Sequence, residues 1–451
     1  MRRIIAREDI APSPTPMPLT APHRKVRGMT ETAATRSILR DPIFARLWFI
    51  QAATQVGGNM ALYALTVLVF DTTRSNAAVG ALVASFVLPQ IVLSPFAGVV
   101  VDRMDLRWAL VVPNIARALL TAGLAVAGAN VPMLLALNLG VSLTSVALTP
   151  AEGSMIPRVV PRAQLQTAMG IFNLTLQGSF ALGFAFLGPL LVTIAGPSAV
   201  LAVVTGLYIA ATVACLGLPS APPNRGAHES GREAVLRPIH ELQEGIRVIR
   251  HDREVSRPIL HQAVGASVAG VLGVLGPGLA TTVGLEPNQL AVIVVPLGIG
   301  VVIGVFGLRR FGRYVSHRRA AEGGHIVLGL LTASLALAGW LGGVLGGFGV
   351  SVLPIVVAVA VGAGAAYAVV SVSAQTALLE SMPSQVRGRV FGMLASIVSA
   401  ASLAPTLAAG PLADRVSASL VIGVVGIAVV FVGLWSASRF GSTERTARSS
   451  S

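Results

Sequence analysis

Apolar residues in this chain come in long unbroken runs; they neither alternate as in a half-buried strand nor mark one face of a soluble helix. Intervals without Asp, Glu, Lys or Arg cover 47–70, 75–101, 118–151, 163–224, 258–285, 287–308, 323–379, 390–413 and 416–438. A helix crosses the hydrocarbon core with about 20 apolar residues, so the shorter intervals are single spans. The longer ones must reverse, and each has turn chemistry at the required break: Asn130-Val131-Pro132, Gly196-Pro197, and Gly342 to Gly349. A run that starts at Trp108 and contains Arg117 makes one more span. The pattern predicts an all-α membrane protein with twelve transmembrane helices near 47–70, 75–101, 108–129, 131–152, 168–195, 198–219, 258–283, 288–308, 324–345, 350–379, 389–413 and 416–438. Backbone polar groups in lipid leave only helices or a closed barrel. Barrel strands alternate, which these runs do not.

Composition agrees, with 54% hydrophobic and 12% charged residues and a mean hydropathy of +0.76. In a soluble chain the net charge of +14 would suggest nucleic acid as partner, but here the charge is confined to loops and ends. With the N-terminus inside, 30 of the 33 basic residues fall on cytoplasmic segments, leaving Arg74 and Arg415 outside and Arg117 within a span. The positive-inside rule then places both termini in the cytoplasm. Contact with anionic lipid head groups follows, and no nucleic-acid partner is expected. Arginine outnumbers lysine 32 to one, which points to a GC-rich genome and a bacterial inner (plasma) membrane. The single cysteine, Cys215, excludes an internal disulfide or a cysteine-rich metal centre.

The hydrophilic interval around 220–257 divides the chain into six plus six spans. The expected organisation is a disordered cytoplasmic tail over 1–40, a first six-helix half over 41–219, a cytoplasmic linker over 220–257, a second half over 258–438 and a tail over 439–451. Ile239, Leu242, Ile246 and Ile249 recur at helical spacing among charges, as in an amphipathic helix on the cytoplasmic leaflet or a solvated linker helix. Internal matches support two pseudo-symmetric bundles. Glu152-Gly-Ser-Met-Ile-Pro157 corresponds to Glu380-Ser-Met-Pro383, and Gly188-Pro189-Leu190 to Gly410-Pro411-Leu412.

The link between the second and third spans reads Gly98-Val-Val-Val-Asp102-Arg103-Met-Asp105-Leu-Arg107. It resembles the G-x-x-x-D-R-x-x-x-R signature of the major facilitator superfamily, in the loop where that family carries it. Ile156-Pro157-Arg158 with Pro161 and Gln164-Leu165, Leu242 to Arg250, and Pro383 with Arg387-Gly388-Arg389 resemble the efflux branch that includes multidrug and siderophore exporters. The likeness covers residues 41–440 and implies alternating access, gated by Gly98, Asp102, Arg103, Arg107, Arg387 and Arg389. Gly98 would permit close helix approach, and Asp102 with the arginines would form a charge cluster. One departure is that Leu190-Leu191 follow Gly188-Pro189, where the drug-antiporter signature places further glycines.

Polar groups inside spans are costly and mark candidate function. Arg117 lies nine residues beyond Trp108, about 13 Å deep at 1.5 Å per residue. It either lines a central cavity or pairs with an acid such as Glu152, or it ties helices together through carbonyls. Glu152, at the expected end of the fourth span, is a candidate proton-coupling carboxylate; the alternative is an interfacial acid paired with Arg158 or Arg162. Gln51, Gln55, Asn59 and Tyr63 follow at four-residue spacing as a polar stripe, Asn173 and Gln177 repeat the arrangement in the fifth span, and Asn114 precedes Arg117 by one turn. These are candidate substrate contacts, or amides that bond helices together.

The expected protein is therefore a secondary transporter, working as a monomer, that exports a hydrophobic or amphipathic small molecule by proton antiport. An importer or lipid transporter of the same fold, or a transport-inactive scaffold or receptor, would share these features. No G-x-x-x-x-G-K-[ST] phosphate loop is present, so no nucleotide is expected. No metal or other cofactor is implied, since His261 and His325 stand apart in sequence and His317 sits in a basic loop. An enzyme is not expected.

Overall fold

The computed structural model describes residues 38–223, 253–312, 315–346, 351–380 and 387–448, and every regular element among them is helical. In the first part of the chain these are α1 (Pro42–Thr73), α2 (Asn76–Asp102), α3 (Leu106–Val126), α4 (Val131–Ser145), α5 (Leu148–Val159), α6 (Leu165–Ser179), a π-helical segment (Phe180–Leu187) and α7 (Gly188–Leu216). In the second they are α8 (Arg253–Thr282), α9 (Ala291–Phe311), α10 (His317–Gly346), α11 (Leu353–Glu380), α12 (Arg387–Arg415) and α13 (Ala418–Arg448). The expected N-terminal tail up to residue 37, the amphipathic helix near 239–249 and Ser381 to Pro383 lie outside the described residues.

Ten stretches are long and apolar enough to cross a membrane. The one spanning Arg162–Leu216 contains two crossings, and α12 completes the twelve. The double crossing is visible in what it touches along α1. Phe172 accepts from Gln51, Gly183 lies against Val56 and Asn59, and Gly188 lies against Tyr63, so this arm ascends alongside α1. Beyond Gly196, whose φ of 82° breaks the helix, Tyr208 packs on Gly57 and Gly217 on Arg46, so the second arm descends. Glycine is needed there because side chains disfavour that backbone conformation.

Local chemistry sets the other boundaries. Asp41 caps α1 by accepting from the backbone of Ile43 and Phe44, with Pro42 at the first helical position, so the helix starts five residues before the expected Leu47. Asn130 caps α4 in the same way through Met133. The fourth crossing is broken at Val146–Ala147 into α4 and α5. Pro150 accounts for the break, since it has no N–H to offer the carbonyl four residues back, that of Val146.

Helices within each half pack with small residues at the contact, as expected where lipid removes the hydrophobic drive for association. A Cβ on Gly300 or Gly364 would run into the backbone carbonyls of Val361 and Leu297 respectively, so α9 and α11 touch backbone to backbone. Gly329 and Gly426 do the same between α10 and α13. Large apolar side chains such as Val126, Leu174, Ile194 and Phe431 point outward as a lipid-facing surface.

The core is one-sided. A single buried cluster joins the two halves at the end that carries Arg74, running from Leu65, Phe70, Val79 and Leu82 to Val274, Leu279, Leu290, Ala409 and Ala413. At the opposite end the first half has its own cluster around Phe44, Leu110, Met155 and Phe172, and the second half a small one around Val255, Ile259 and Leu378.

Gly364→Val should separate α9 from α11 and lower stability by about 1–3 kcal/mol. Gly206→Ala, where a Cβ meets nothing within 4 Å, should be neutral or stabilising. Thermal melts of the two purified variants in detergent, followed by tryptophan fluorescence, would show this difference; equal melts would refute the contact.

Candidate functional site

A polar recess lies inside the first half. Thr54, Gln55, Gly58 and Asn59 from α1, Phe86 and Gln90 from α2, Arg117 from α3, Ser145 at the end of α4, and Leu148, Thr149 and Glu152 from α5 line a cavity of about 190 Å³. The helix break set by Pro150 helps to build it. On α5, Leu148 and Thr149 precede Glu152 by four and three residues and so share its face, while Ser145 joins them from across the break. Asn138 and Ser142 of α4 hold that wall to α2 by donating to Leu82, Ser85 and Phe86.

Arg117 is only 6% exposed. It donates to the Tyr208 hydroxyl at 2.7 Å and to the Thr54 carbonyl at 3.4 Å, and its guanidinium lies 4.1 Å from the centre of the Tyr208 ring. The side chain thus lines the cavity and ties α3 to α1 and α7, combining two of the arrangements left open by the sequence. Glu152 is 5% exposed, with seven more residues of helix following it. The expectation that it sits at the end of the fourth crossing is corrected, because α5 continues to Val159. Its carboxylate makes no hydrogen bond and no ion pair among the described residues, although the charge of Arg117 acts on it. A buried acid without a direct partner is a group ready to accept a proton or a cationic ligand.

The predicted polar residues divide. Gln55, Asn59, Arg117 and Glu152 meet at the cavity. Gln51 instead donates to the Phe172 carbonyl at 3.2 Å, and Asn114 to the Leu110 carbonyl at 2.9 Å. Tyr63 is fully buried edge-on against Phe184, with ring centres 5.5 Å apart. The physical reason lies in the helix itself. Four residues turn it by about 400°, so each step shifts the stripe about 40° and its two ends face neighbouring helices. Asn173 is exposed and lies away from the cavity, and the Gln177 side chain lies outside the described residues. Tyr208, Thr54, Gln90, Ser145 and Thr149 were missed; Gln90 and Tyr208, polar groups inside apolar runs, carried the only usable signal.

The Gly98–Arg107 loop departs from its expected charge cluster. Asp102 and Arg103 are exposed and form no ion pair among the described residues, and nothing approaches within 4 Å of a Cβ built on Gly98. Asp105 holds the loop instead. It caps α3 through the Arg107 N–H at 2.9 Å and accepts from Ser220, while Leu106 donates to the Ala221 carbonyl at 3.0 Å. Desolvation works against its charge, but hydrogen bonds from Ser220 and the backbone of Arg107, Ala221 and Trp108 outweigh this and hold the carboxyl below the usual range. The side chains of Arg387 and Arg389, at the start of α12, lie outside the described residues. Glu380, the counterpart of Glu152, is 65% exposed and sits 3.7 Å from His317.

The two halves are latched at the Arg74 end. Asp414, after the last apolar residue of α12, receives the Ser75 hydroxyl at 2.6 Å, the Asn76 N–H at 2.7 Å, the Asn76 amide at 2.9 Å and the Ala77 N–H at 3.0 Å. Two of the donors are free backbone N–H groups that open α2, so a carboxylate from one half caps a helix of the other and meets its positive end. Gly410 brings the backbones together, since a Cβ there would come within 2.5 Å of the Asn76 carbonyl. Partial burial raises the Asp414 pKa, but the bonds from Ser75, Ala77 and Asn76 outweigh that and hold it below the ordinary carboxylate range.

Twelve membrane-crossing helices, joined at one end and enclosing buried ionisable groups, define a multi-pass secondary transporter. The chain belongs to the Major Facilitator Superfamily, whose family model matches residues 47–405. It is 24% identical over 376 residues to the uncharacterized transporter YfiS of Bacillus subtilis, covering 83% of this chain and 87% of that one. It is 27% identical over 414 residues to the uncharacterized transporter Rv0037c of Mycobacterium tuberculosis, covering 85% and 90%. The multidrug efflux pump Tap of Mycolicibacterium fortuitum is 23% identical over 417 residues, covering 87% and 96%. Among solved structures, the nucleoside transporter NupG superimposes with a TM-score of 0.64 at 12% identity, covering 87% of this chain and 98% of that one. A bacterial homologue of the lysosomal transporter Spinster, solved inward-facing, gives 0.60 at 15%, covering 88% and 95%.

Asp414→Asn removes the charge and half of the acceptor capacity that hold α2. Spin labels at Thr72 and Val416 in a Cys215→Ser background should then report a longer-distance population absent from the parent. The ionised carboxylate is the accepting form, so the parent latch is complete at neutral pH and loosens only as pH falls through the lowered Asp414 value. Identical distance distributions in parent and variant would show that Asp414 does not hold the halves together.

Proposed function

We propose that this chain exports a hydrophobic or amphipathic small molecule, of the drug-like or siderophore kind, in exchange for protons across a bacterial inner membrane, with both termini cytoplasmic. The observation that carries the reading is the recess that brings an unpaired, buried Glu152 together with Arg117, Gln55 and Asn59. A proton and the donor end of a substrate compete for that carboxylate, so filling by one releases the other. Arg117, stacked on Tyr208, fixes the recess and offsets the carboxylate charge.

The size of the recess refines the substrate. Sites that enclose a drug-sized ligand measure about 300–1,000 Å³, whereas this one is about 190 Å³. It suits the polar end of a larger molecule whose apolar part lies between the halves. Positive-inside asymmetry puts the Gly98–Arg107 loop in the cytoplasm, so a core closed at the Arg74 end corresponds to a carrier open inward. The extended likeness to the efflux pump Tap supports export over uptake.

Accumulation of a fluorescent lipophilic cation in efflux-deficient cells tests the reading. Cells expressing the parent should hold less dye than empty-vector cells, and a protonophore should abolish the difference. Glu152→Gln and Arg117→Ala, at equal expression, should return accumulation to the empty-vector level, and Arg117→Lys should recover little because a lysine lacks the forked guanidinium that lies over Tyr208 and bonds both its hydroxyl and the Thr54 carbonyl. Unimpaired, protonophore-sensitive efflux by Glu152→Gln would remove the carboxylate from coupling.

A further inference from the structure

The second half contains a buried polar group that the recess does not use. His261 of α8 and His325 of α10 are 64 positions apart in sequence, yet their rings lie 4.7 Å centre to centre, with exposures of 4% and 0%. Nothing in their separation along the chain points to this contact; the packing of α8 on α10 makes it. Ser436 of α13 joins them, its Oγ lying 3.3 Å from His261 Nε2 and 3.3 Å from Glu322 Oε1. Arg318 donates to the same Glu322 oxygen at 3.2 Å.

Hydrogen-bond accounting fixes where the protons sit. The Ala321 carbonyl can only accept, so His325 Nδ1, 2.8 Å away, carries a proton and donates to it. Its Nε2 is then a bare lone pair, and that atom is buried without a partner. Ser436 has one hydrogen, which goes to the Glu322 carboxylate; its oxygen therefore accepts from His261 Nε2–H. His261 Nδ1 is left as the second bare lone pair, also buried and without a partner. Two adjacent rings, tilted by 43° to each other, thus hold two unsatisfied acceptors, with the His261 backbone also against His325. One added proton supplies the missing donor, and two would place adjacent buried cations.

We propose that His261 and His325 form a one-proton binding site, shared by the two rings and wired through Ser436 to the counter-charge of Glu322. The chain of contacts leads from the buried rings outward, because the Glu322 and Arg318 side chains are 11% and 35% exposed. Water at that end is the proton source. The charges that act on His261 are Arg257 on its own helix and Arg318 and His325 on α10, all positive when charged; Glu322 reaches it only through Ser436. On α11 the titratable groups are Tyr367, whose ring packs against Gly265 one turn along α8 from His261, and Glu380, which lies beside His317. On α12 the described ones, Asp414 and Arg415, occupy the opposite end, and the described side chains of α13 contribute the Ser436 hydroxyl and no charge. None of these residues lines the recess around Glu152, so the site stands whether or not that recess couples transport.

The test is a ¹⁵N NMR titration of the full chain in lipid nanodiscs, with ring-labelled histidine assigned through His261→Gln and His325→Gln. At high pH His261 should show its proton on Nε2 and His325 on Nδ1. On acidification both signals should move together in a single step that takes up one proton. Glu322→Gln should weaken proton binding about tenfold, and Ser436→Ala should weaken it in the same direction. If the histidine variants fail to fold, the parent and Ser436→Ala still decide. Two separate steps with one proton each, the same tautomer on both rings, or no step between about pH 4 and 9 would overturn the proposal. So would stoichiometric zinc binding that abolishes the step, since the lone pairs would then belong to a metal site.

Discussion

Lipid offers no hydrogen bonds, so each polar atom within the spans must be satisfied by the protein itself or by water in a cavity it encloses. Much of the rest follows from that constraint. Serine and threonine hydroxyls along the helices return to carbonyls three or four residues back, as at Thr193, Thr205, Thr212 and Thr376. The deep amides of Gln51 and Asn114 donate to carbonyls. The settlement is incomplete, since Gln51 Oε1, Asn114 Oδ1 and the Tyr63 and Ser373 hydroxyls stay buried without a partner; an acid and two imidazoles also keep spare capacity. Glu152 lies in the recess of the first half, and the two histidines lie between α8, α10 and α13 of the second.

The same scarcity of polar partners explains how the halves join. Apolar surface has little preference for another helix over lipid, so a joint between halves needs something lipid cannot provide. Asp414 provides it, because the opening N–H groups of α2 would otherwise need water. The buried cluster behind it excludes lipid and water from that end. At the other end Asp105 binds Ser220 within its own half, and the clusters of the two halves remain separate. A carrier needs this contrast between a closed end and an open one.

The architecture was legible because the relevant signal is long. Uncharged runs of twenty or more residues survive small errors at each end, and Asn130, Gly196 and Pro197 sit at the reversals the structure shows. The site was legible only in part. Spacing of four suggested a single stripe from Gln51 to Tyr63, whereas the helical repeat turns its ends toward neighbours, leaving Gln55 and Asn59 at the recess. The role of Asp105 in place of Asp102 depends on Ser220, more than a hundred residues away, which no local pattern reveals. The approach of His261 to His325 depends in the same way on how α8 meets α10.

Glu152 and Glu380 stand in similar sequence fragments of the two halves, yet one is buried beside a recess and the other is exposed beside His317. A carboxylate in water is satisfied by the solvent and changes little when a conformation changes. A carboxylate enclosed by protein is sensitive to whatever enters with it, be it proton, cation or water. Symmetry of sequence therefore does not carry over to symmetry of chemistry. Of the two acids, the environment leaves Glu152 as the one whose state is bound to the conformation around it.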